Sequence, residues 1–348
     1  MPDTKKQHYV PQCYLKYFAN EQERINVFDK SKMEVRRNQD IANVATKHRF
    51  YDLNLSDIFA QGGTLEKEKI KTDLAQILGV EDKELVESYL KSIDEMQYIE
   101  TEFFAKNIES IYGVLLDKII QKDYPITPWV IKNCHAISKI EKEIFSLFIA
   151  IQIIRTKSFR DTLGSMLEQF IGNISYKLQM NEKDASPPED FEVTLDKDYV
   201  KFQHAGMILD PEMAQGFADV LSHHIWVVYV NNTEQPFYTS DDPIVNIPHK
   251  RDEFISYGGL NSEGIEILFP LSSNLLLGMY HHDTYSAILN DRMYVPVNTI
   301  ETVNLFNRAQ VIHCQRCVFS FNDNFEYARQ ICIERPDIRT YKPRIEVI

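Results

Sequence analysis

The stretch I-N-V-F-D-K-S-K-M-E-V-R-R-N, residues 25–38, decides the class of fold. Ile25, Val27 and Phe28 precede a polar D-K-S-K, and Met33 and Val35 follow it, which predicts a β-hairpin with strands Ile25–Phe28 and Met33–Arg36. A chain that opens on such a hairpin and then turns helical belongs to a mixed class. Downstream, H-R-F-Y-D-L-N-L (48–55) reads as an aromatic strand or turn edge, and residues 56–63 have loop composition.

From about Leu65 to Lys122 the pattern becomes helical. Leu90, Ile93, Met96, Ile99, Phe103, Ile108, Tyr112, Leu115 and Ile119 recur at three- and four-residue spacing and predict one apolar stripe, ended by Pro125 and Pro128. Further helices are expected over about Trp129 to Arg160 and Arg160 to Leu178. The polar run N-E-K-D-A-S-P-P-E-D (181–190) reads as a loop or linker. In D-P-E-M-A-Q-G-F-A-D-V-L-S-H-H (210–224), Asp210 is placed to cap a helix with Pro211 at its first position. Strands are expected at I-W-V-V-Y-V, P-F-Y-T-S, I-E-I-L-F-P, N-L-L-L-G-M-Y and C-V-F-S-F, with a helix at about Thr302 to His313. The fold class is α+β. A largely helical centre is flanked by an N-terminal hairpin region and a C-terminal antiparallel or mixed sheet. All of it forms one large domain, 1–348, with subregions 1–63, 64–180 and 190–348.

The chain has 348 residues, 44% of them hydrophobic, enough for a substantial core. Asp and Glu number 51 against 38 Lys and Arg, a formal charge of −13. That balance opposes general polyanion affinity while leaving room for a local basic groove. Five cysteines scattered through a chain whose start, M-P-D-T-K-K, leads into no apolar core predict a reducing cytoplasm. The apolar run I-F-S-L-F-I-A-I-Q-I-I (144–154) is too short to span a bilayer, so a buried helix and no membrane association are expected.

Several segments together carry a resemblance. They are H-Y-V-P-Q (8–12), V-F-D-K, F-Y-D (50–52), I-E-S (108–110), I-Q-I-I-R-T-K-S-F-R (151–160), T-S-D-D-P (239–243), F-P-L-S (269–272) and V-N-L-F-N (303–307). They resemble the bacterial family catalogued as domain of unknown function 4238 over nearly the whole chain. This sequence differs in having Lys157 where proline often follows R-T, and Asp242 where asparagine is common. The resemblance implies no established activity. The general pattern of such families implies a place in bacterial conflict, such as phage defence or a mobile element.

The candidate site residues divide between chemistry and architecture. His8 reads as a metal ligand or general base, or as a hydrogen-bonding plug that anchors the N-terminal arm. Gln12 lies four residues on, so a helical turn would place it on the same face. Glu95, Glu102 and Glu109 are spaced by seven, and Glu109 falls in I-E-S, where its carboxylate would suit a divalent cation such as Mg. Gln152 and Arg155 emerge from an apolar helix, and a guanidinium there either pairs with Glu109 or Asp241 or holds a phosphate. Asp241, in T-S-D-D-P, reads either as a catalytic or metal-binding carboxylate or as turn chemistry. His204 is a lone histidine that reads either as a ligand-binding residue or as a structural one. C-Q-R-C (314–317) has zinc spacing but no second ligand pair, so core packing is expected. The H-H pairs at 223–224 and 281–282 lack a metalloprotease context. With 12 glycines and no phosphate-loop or dinucleotide signature, nucleotide cradles of those kinds are not expected.

Two functions follow. One is a metal-assisted hydrolase, a nuclease or phosphodiesterase, with Asp241 and Glu109 on the cation, His8 as base and Arg155 on the scissile phosphate. Its partner would be nucleic acid or a phosphate-bearing ligand, with Gln12, Gln152 and His204 lining the site. The other is a non-catalytic binding or sensor module whose polar cluster is a structural network.

Overall fold

The computed structural model describes residues 6–52, 72, 88, 99–122, 124, 135–180, 193–250, 252 and 256–343. In chain order the elements begin with β1 (Lys6–His8), α1 (Gln12–Leu15), β2 (Arg24–Asp29), β3 (Glu34–Asp40) and β4 (Thr46–His48). A π-helical segment, Ile99–Glu109, runs into α2 (Ser110–Ile120), followed by α3 (Lys139–Ile154), α4 (Lys157–Met180), α5 (Lys197–Leu209) and α6 (Pro211–His223). The C-terminal part holds β5 (Ile225–Asn231), β6 (Thr239–Ser240), β7 (Val245–Ile247), β8 (Glu266–Pro270), β9 (Leu275–Tyr280) and α7 (His282–Tyr285). It closes with β10 (Met293–Val297), α8 (Ile300–His313), β11 (Cys317–Ser320) and α9 (Glu326–Glu334).

The fold is α+β, with two main sheets. One has the order β10-β5-β9-β8-β7, antiparallel except for the β10–β5 pair. The other has the order β3-β2-β11-β6 and is antiparallel throughout. The hairpin forms as expected, with Val27 opposite Arg36 and Phe28 opposite Val35. Its β2 strand is then claimed by β11, Val27 facing Phe319, so the first and last regions share one sheet. Hydrogen bonding, rather than chain proximity, sets this neighbour relation.

The N-terminal arm threads between these layers. Tyr14 is buried, its hydroxyl donating to the Pro270 carbonyl at 2.7 Å and lying 2.6 Å from Thr239 Oγ1. Its ring stacks on Phe269. The main core joins the arm (Val10, Leu15, Phe18) to α3 (Phe145, Ile149) and the large sheet (Trp226, Phe269, Leu277). No helix among the described residues is long and apolar enough to cross a membrane.

Several local expectations change. Ile99, Tyr112 and Ile119 of the expected stripe are buried, but Phe104 and Leu116 are the most deeply buried positions, while Phe103, Ile108 and Leu115 are half-buried. Leu90, Ile93, Met96, Glu95, both prolines and the 181–190 loop lie outside the described residues. Residues 135–138 are not helical. Helix α3 starts after Ser138, which forms a reciprocal capping box with Glu141. It stops at Arg155, and α4 begins at Lys157, so the break falls five residues before the expected one. Asp210 caps α6 as expected, accepting from the Glu212 and Met213 N–H groups with Pro211 next. Helices α5 and α9 and strands β7 and β10 were not anticipated.

Candidate functional site

Arg155 organises the centre of the molecule. It caps the C-terminal end of α3, and its side chain is wholly buried. Nη1 donates to Glu109 Oε1 at 2.9 Å, and Nη2 donates to the His8 carbonyl at 2.6 Å. The guanidinium lies 3.9 Å from the centroid of the Phe104 ring. One turn earlier on α3, Gln152 Nε2 donates to the Tyr9 carbonyl at 3.1 Å. The Tyr51 hydroxyl donates to the Arg155 carbonyl at 2.9 Å, and Gln7 Oε1 accepts from the Tyr51 N–H. The His8 N–H donates to Glu100 Oε1 at 3.2 Å. Residues 7–9 are therefore held from three sides, by α3, by the 50–52 turn and by the π-helical segment.

Among the described residues, four buried polar atoms of this network have no partner: His8 Nε2, Glu100 Oε2, Gln152 Oε1 and Arg155 Nε. Buried polar atoms are seldom left so, and here four belong to one network. Burial, then the Arg155 charge, pulls the His8 imidazole down to about 4, so it is neutral at pH 7. Burial pushes the Glu100 carboxyl up to about 7. Burial works against the Arg155 charge, but Tyr51, Glu109 and Glu100 around it raise it overall.

The expected site residues separate into groups. His8, Glu109, Gln152 and Arg155 meet in this centre. His204 lies beside it, its ring stacked 6.5 Å from Tyr51, and both nitrogens are used. Nδ1 accepts from Arg160 Nε at 2.9 Å, and Nε2 is 2.7 Å from the Ile154 carbonyl. Burial, then Arg160, holds it down at about 3, so it is a neutral brace between α4, α5 and the end of α3. Gln12 does not share a face with His8, because His8 is in β1, Pro11 is extended and Gln12 is exposed at the start of α1. Glu102 pairs with Lys106 at 2.7 Å at the surface.

Asp241 stands apart from Arg155. Its Oδ1 accepts from the Gln315 N–H at 2.9 Å, and its Oδ2 from the Arg316 and Cys317 N–H groups, each at 2.9 Å. Burial still pushes it up to about 6. Glu109 is engaged by Arg155 and Asp241 by these amides. Neither belongs to the group of three potential metal ligands whose atoms lie within 4.8 Å of one another among the described residues, which is His223, His282 and Asp283. Cys314 and Cys317 are free thiols, and Cys314 is packed in the core with Val311 and Val318.

Asp241 borders a cavity of about 320 Å³ whose lining includes Tyr9, Arg36, Lys47, Lys157, Arg316 and Cys317. Arg316 pairs with Asp29 at 2.6 Å and Lys157 with Asp161 at 2.9 Å. Arg36 makes no ion pair among the described residues. It reaches Cys317 Sγ at 3.7 Å and leaves its Nε buried without a partner. Lys47 lies over the Phe50 ring, and burial, then Lys157, Arg160 and Lys197, holds its ammonium below the usual value. Four cations and one carboxylate, Asp241, thus line one cavity of an acidic protein, and two of the cations are neutralised by their own aspartate partners. Burial pushes the Cys317 thiol up to about 12, which leaves it a poor nucleophile.

The cavity and the buried centre share the N-terminal arm: the Tyr9 ring lines one and its carbonyl belongs to the other. The family described as Protein of unknown function (DUF4238) matches residues 6–324, a span that contains every residue of both. The chain belongs to this family. No curated protein and no solved structure matches it. Within this DUF4238 member, Glu100, Arg36 and Lys47 escaped sequence reasoning because nothing in E-T-E-F-F, V-R-R-N or A-T-K-H-R tells that Glu100 turns inward, or that the half-buried Arg36 and the exposed Lys47 line a cavity. Tyr51 had a usable signal, since F-Y-D is one of the segments that carry the resemblance.

Proposed function

We propose that this DUF4238 member is a cytoplasmic bacterial protein that binds a small phosphate-bearing molecule in the cavity beside Tyr9, acting as a binding or sensor module. The observation that carries this reading is the pair Arg36 and Lys47, two cations on the cavity wall without an ion pair among the described residues. A phosphate there would receive charge-assisted hydrogen bonds from both, while Tyr9 and Phe319 offer apolar wall to the rest of the ligand. The cavity volume, at the lower end for small-molecule sites, favours a mononucleotide or smaller over a nucleic acid chain. The net charge of −13 supports the same choice. The cytoplasmic assignment draws on the free thiols of Cys13, Cys314, Cys317 and Cys332. In this reading the Arg155 network fixes the arm that forms one wall.

Thermal-shift titration tests it. Pyrophosphate and a mononucleotide should raise the melting temperature of the wild type, since a ligand that binds only the folded state stabilises it. They should leave the Arg36→Gln/Lys47→Gln variant unmoved. An equal rise in both proteins would remove the cavity from consideration.

The hydrolase reading rests on a different observation, the unpartnered His8 Nε2 and Glu100 Oε2 in one buried centre. A neutral imidazole and a carboxyl that keeps its proton to about pH 7 have the properties of a base and an acid. In the metal-assisted form, a cation such as Mg would have to take Glu109 from Arg155. Hydrolysis of bis-p-nitrophenyl phosphate, lost in both His8→Ala and Glu100→Gln at unchanged melting temperature, would support it. Equal rates in all three proteins would count against it.

A further inference from the structure

The register between β5 and β9 brings two histidine pairs together that are far apart in sequence. Ile225 is paired with Tyr280 across this antiparallel ladder. Just beyond that pair the chain carries His224 and then His223 on one side, and His281 and then His282 on the other. The rings follow this order: the His223 and His282 centroids are 5.0 Å apart, and those of His224 and His281 are 6.2 Å apart. Asp283 joins them, and ligand atoms of His223, His282 and Asp283 all lie within 4.8 Å of one another.

From this geometry we infer that His223, His282 and Asp283 form a site for a divalent zinc ion at the end of the large sheet. Two imidazoles and one carboxylate suit zinc, which takes nitrogen and oxygen ligands at about 2.0–2.2 Å, far better than magnesium. Zinc would draw the three groups inward by rotation of exposed side chains, with water completing the coordination. The surroundings are prepared for this. His223 ends α6 and His282 begins α7, so both are fixed to regular elements, and Asp283 Oδ1 already lies 3.1 Å from His282 Nδ1. His281 Nδ1 is 2.9 Å from Thr284 Oγ1, which ties down the neighbouring ring. His224 is buried, with Nε2 2.8 Å from the Leu260 carbonyl, so its Nδ1 carries the lone pair and has no partner among the described residues. The bound ion would clip the C-terminal end of α6 to the exit of β9, across a separation of 59 residues (282 − 223).

Isothermal titration of the tag-free, chelator-treated full chain with zinc chloride tests the assignment, with the melting temperature read in parallel. One equivalent should bind and raise the melting temperature, and magnesium chloride should do neither. His223→Ala and His282→Ala change exposed side chains, so each variant should fold and bind zinc at least tenfold more weakly. Cys314→Ser should bind as the wild type does. Absence of stoichiometric binding, or binding unchanged in the His223→Ala/His282→Ala double variant, would overturn the site.

Discussion

Arg155 donates to the main-chain carbonyl of His8 over 2.6 Å, linking the end of the central helix to strand β1 across 147 residues. The same guanidinium holds Glu109 at 2.9 Å, so one buried cation fixes both the arm and the helical layer beside it. Arg155→Met would leave the His8 carbonyl and the Glu109 carboxylate without their donor. A loss of about 3 kcal/mol is expected, the range for breaking a buried pair from one side. Urea denaturation checks it, and a change under 1 kcal/mol would show that the pair is dispensable.

Asp241→Asn separates a carboxylate that serves the main chain from one that serves chemistry. On the turn reading drawn from sequence, asparagine would replace it with little effect. The structure changes that expectation, because both oxygens accept from the 315–317 amides. Asparagine offers one acceptor oxygen and would set its NH₂ against an N–H. A cost of about 1–3 kcal/mol is expected, the price of a buried donor left unsatisfied. An unchanged melting temperature would contradict the described hydrogen bonding.

Tyr14→Phe removes the hydroxyl shared by Thr239 and the Pro270 carbonyl while keeping the ring on Phe269. A destabilisation of about 1–2 kcal/mol should follow, measured by thermal or urea unfolding. No loss would show that ring packing alone secures the arm.

Stability should fall on acidification below neutrality, and the sign follows from the shifts. His204 at about 3, and His8 and His224 at about 4, lie below the ordinary 6.5. The unfolded chain therefore binds more protons than the folded one between 6.5 and those values. Their stabilisation is complete above pH 6.5 and is lost as the pH drops through this window. Glu100, raised from 4.5 to about 7, works in the opposite direction, since the folded state holds its proton longer. Asp241 does the same from 3.8 to about 6. Glu100→Gln removes one opposing contribution, so its melting temperature should drop more steeply than wild type between pH 7 and 4.5. Parallel curves would contradict the placement of Glu100 in a buried, desolvating centre.

Much of the fold was legible because local rules governed it. The 25–38 hairpin follows from alternation around a polar turn, and α6 follows from Asp210 and Pro211 at its start. The β2–β11 pairing was not legible, since it joins residues about 290 positions apart and leaves no local trace. In the site, Gln152 and Arg155 stood out as polar side chains in an apolar helix; Arg155 meets Glu109 and the His8 carbonyl, and Gln152 meets the Tyr9 carbonyl. Asp241 showed the same residue type and flanking proline in either role, and only its amide partners reveal what holds it. The histidine pairs at 223–224 and 281–282 gain meaning only from the register of β5 on β9.

The central claim is that the cavity beside Tyr9 holds a phosphate-bearing molecule, and isothermal titration calorimetry of the intact protein tests it most directly. Titrated with pyrophosphate and with a mononucleotide at low and high salt, the wild type should show one site whose affinity weakens as salt rises. Lys47→Gln should lose roughly tenfold in affinity, in keeping with one charge-assisted contact of about 1.5 kcal/mol. Arg36→Gln/Lys47→Gln should abolish binding while its melting temperature stays near that of the wild type. No binding at millimolar ligand, or binding that the double substitution leaves intact, would contradict the account.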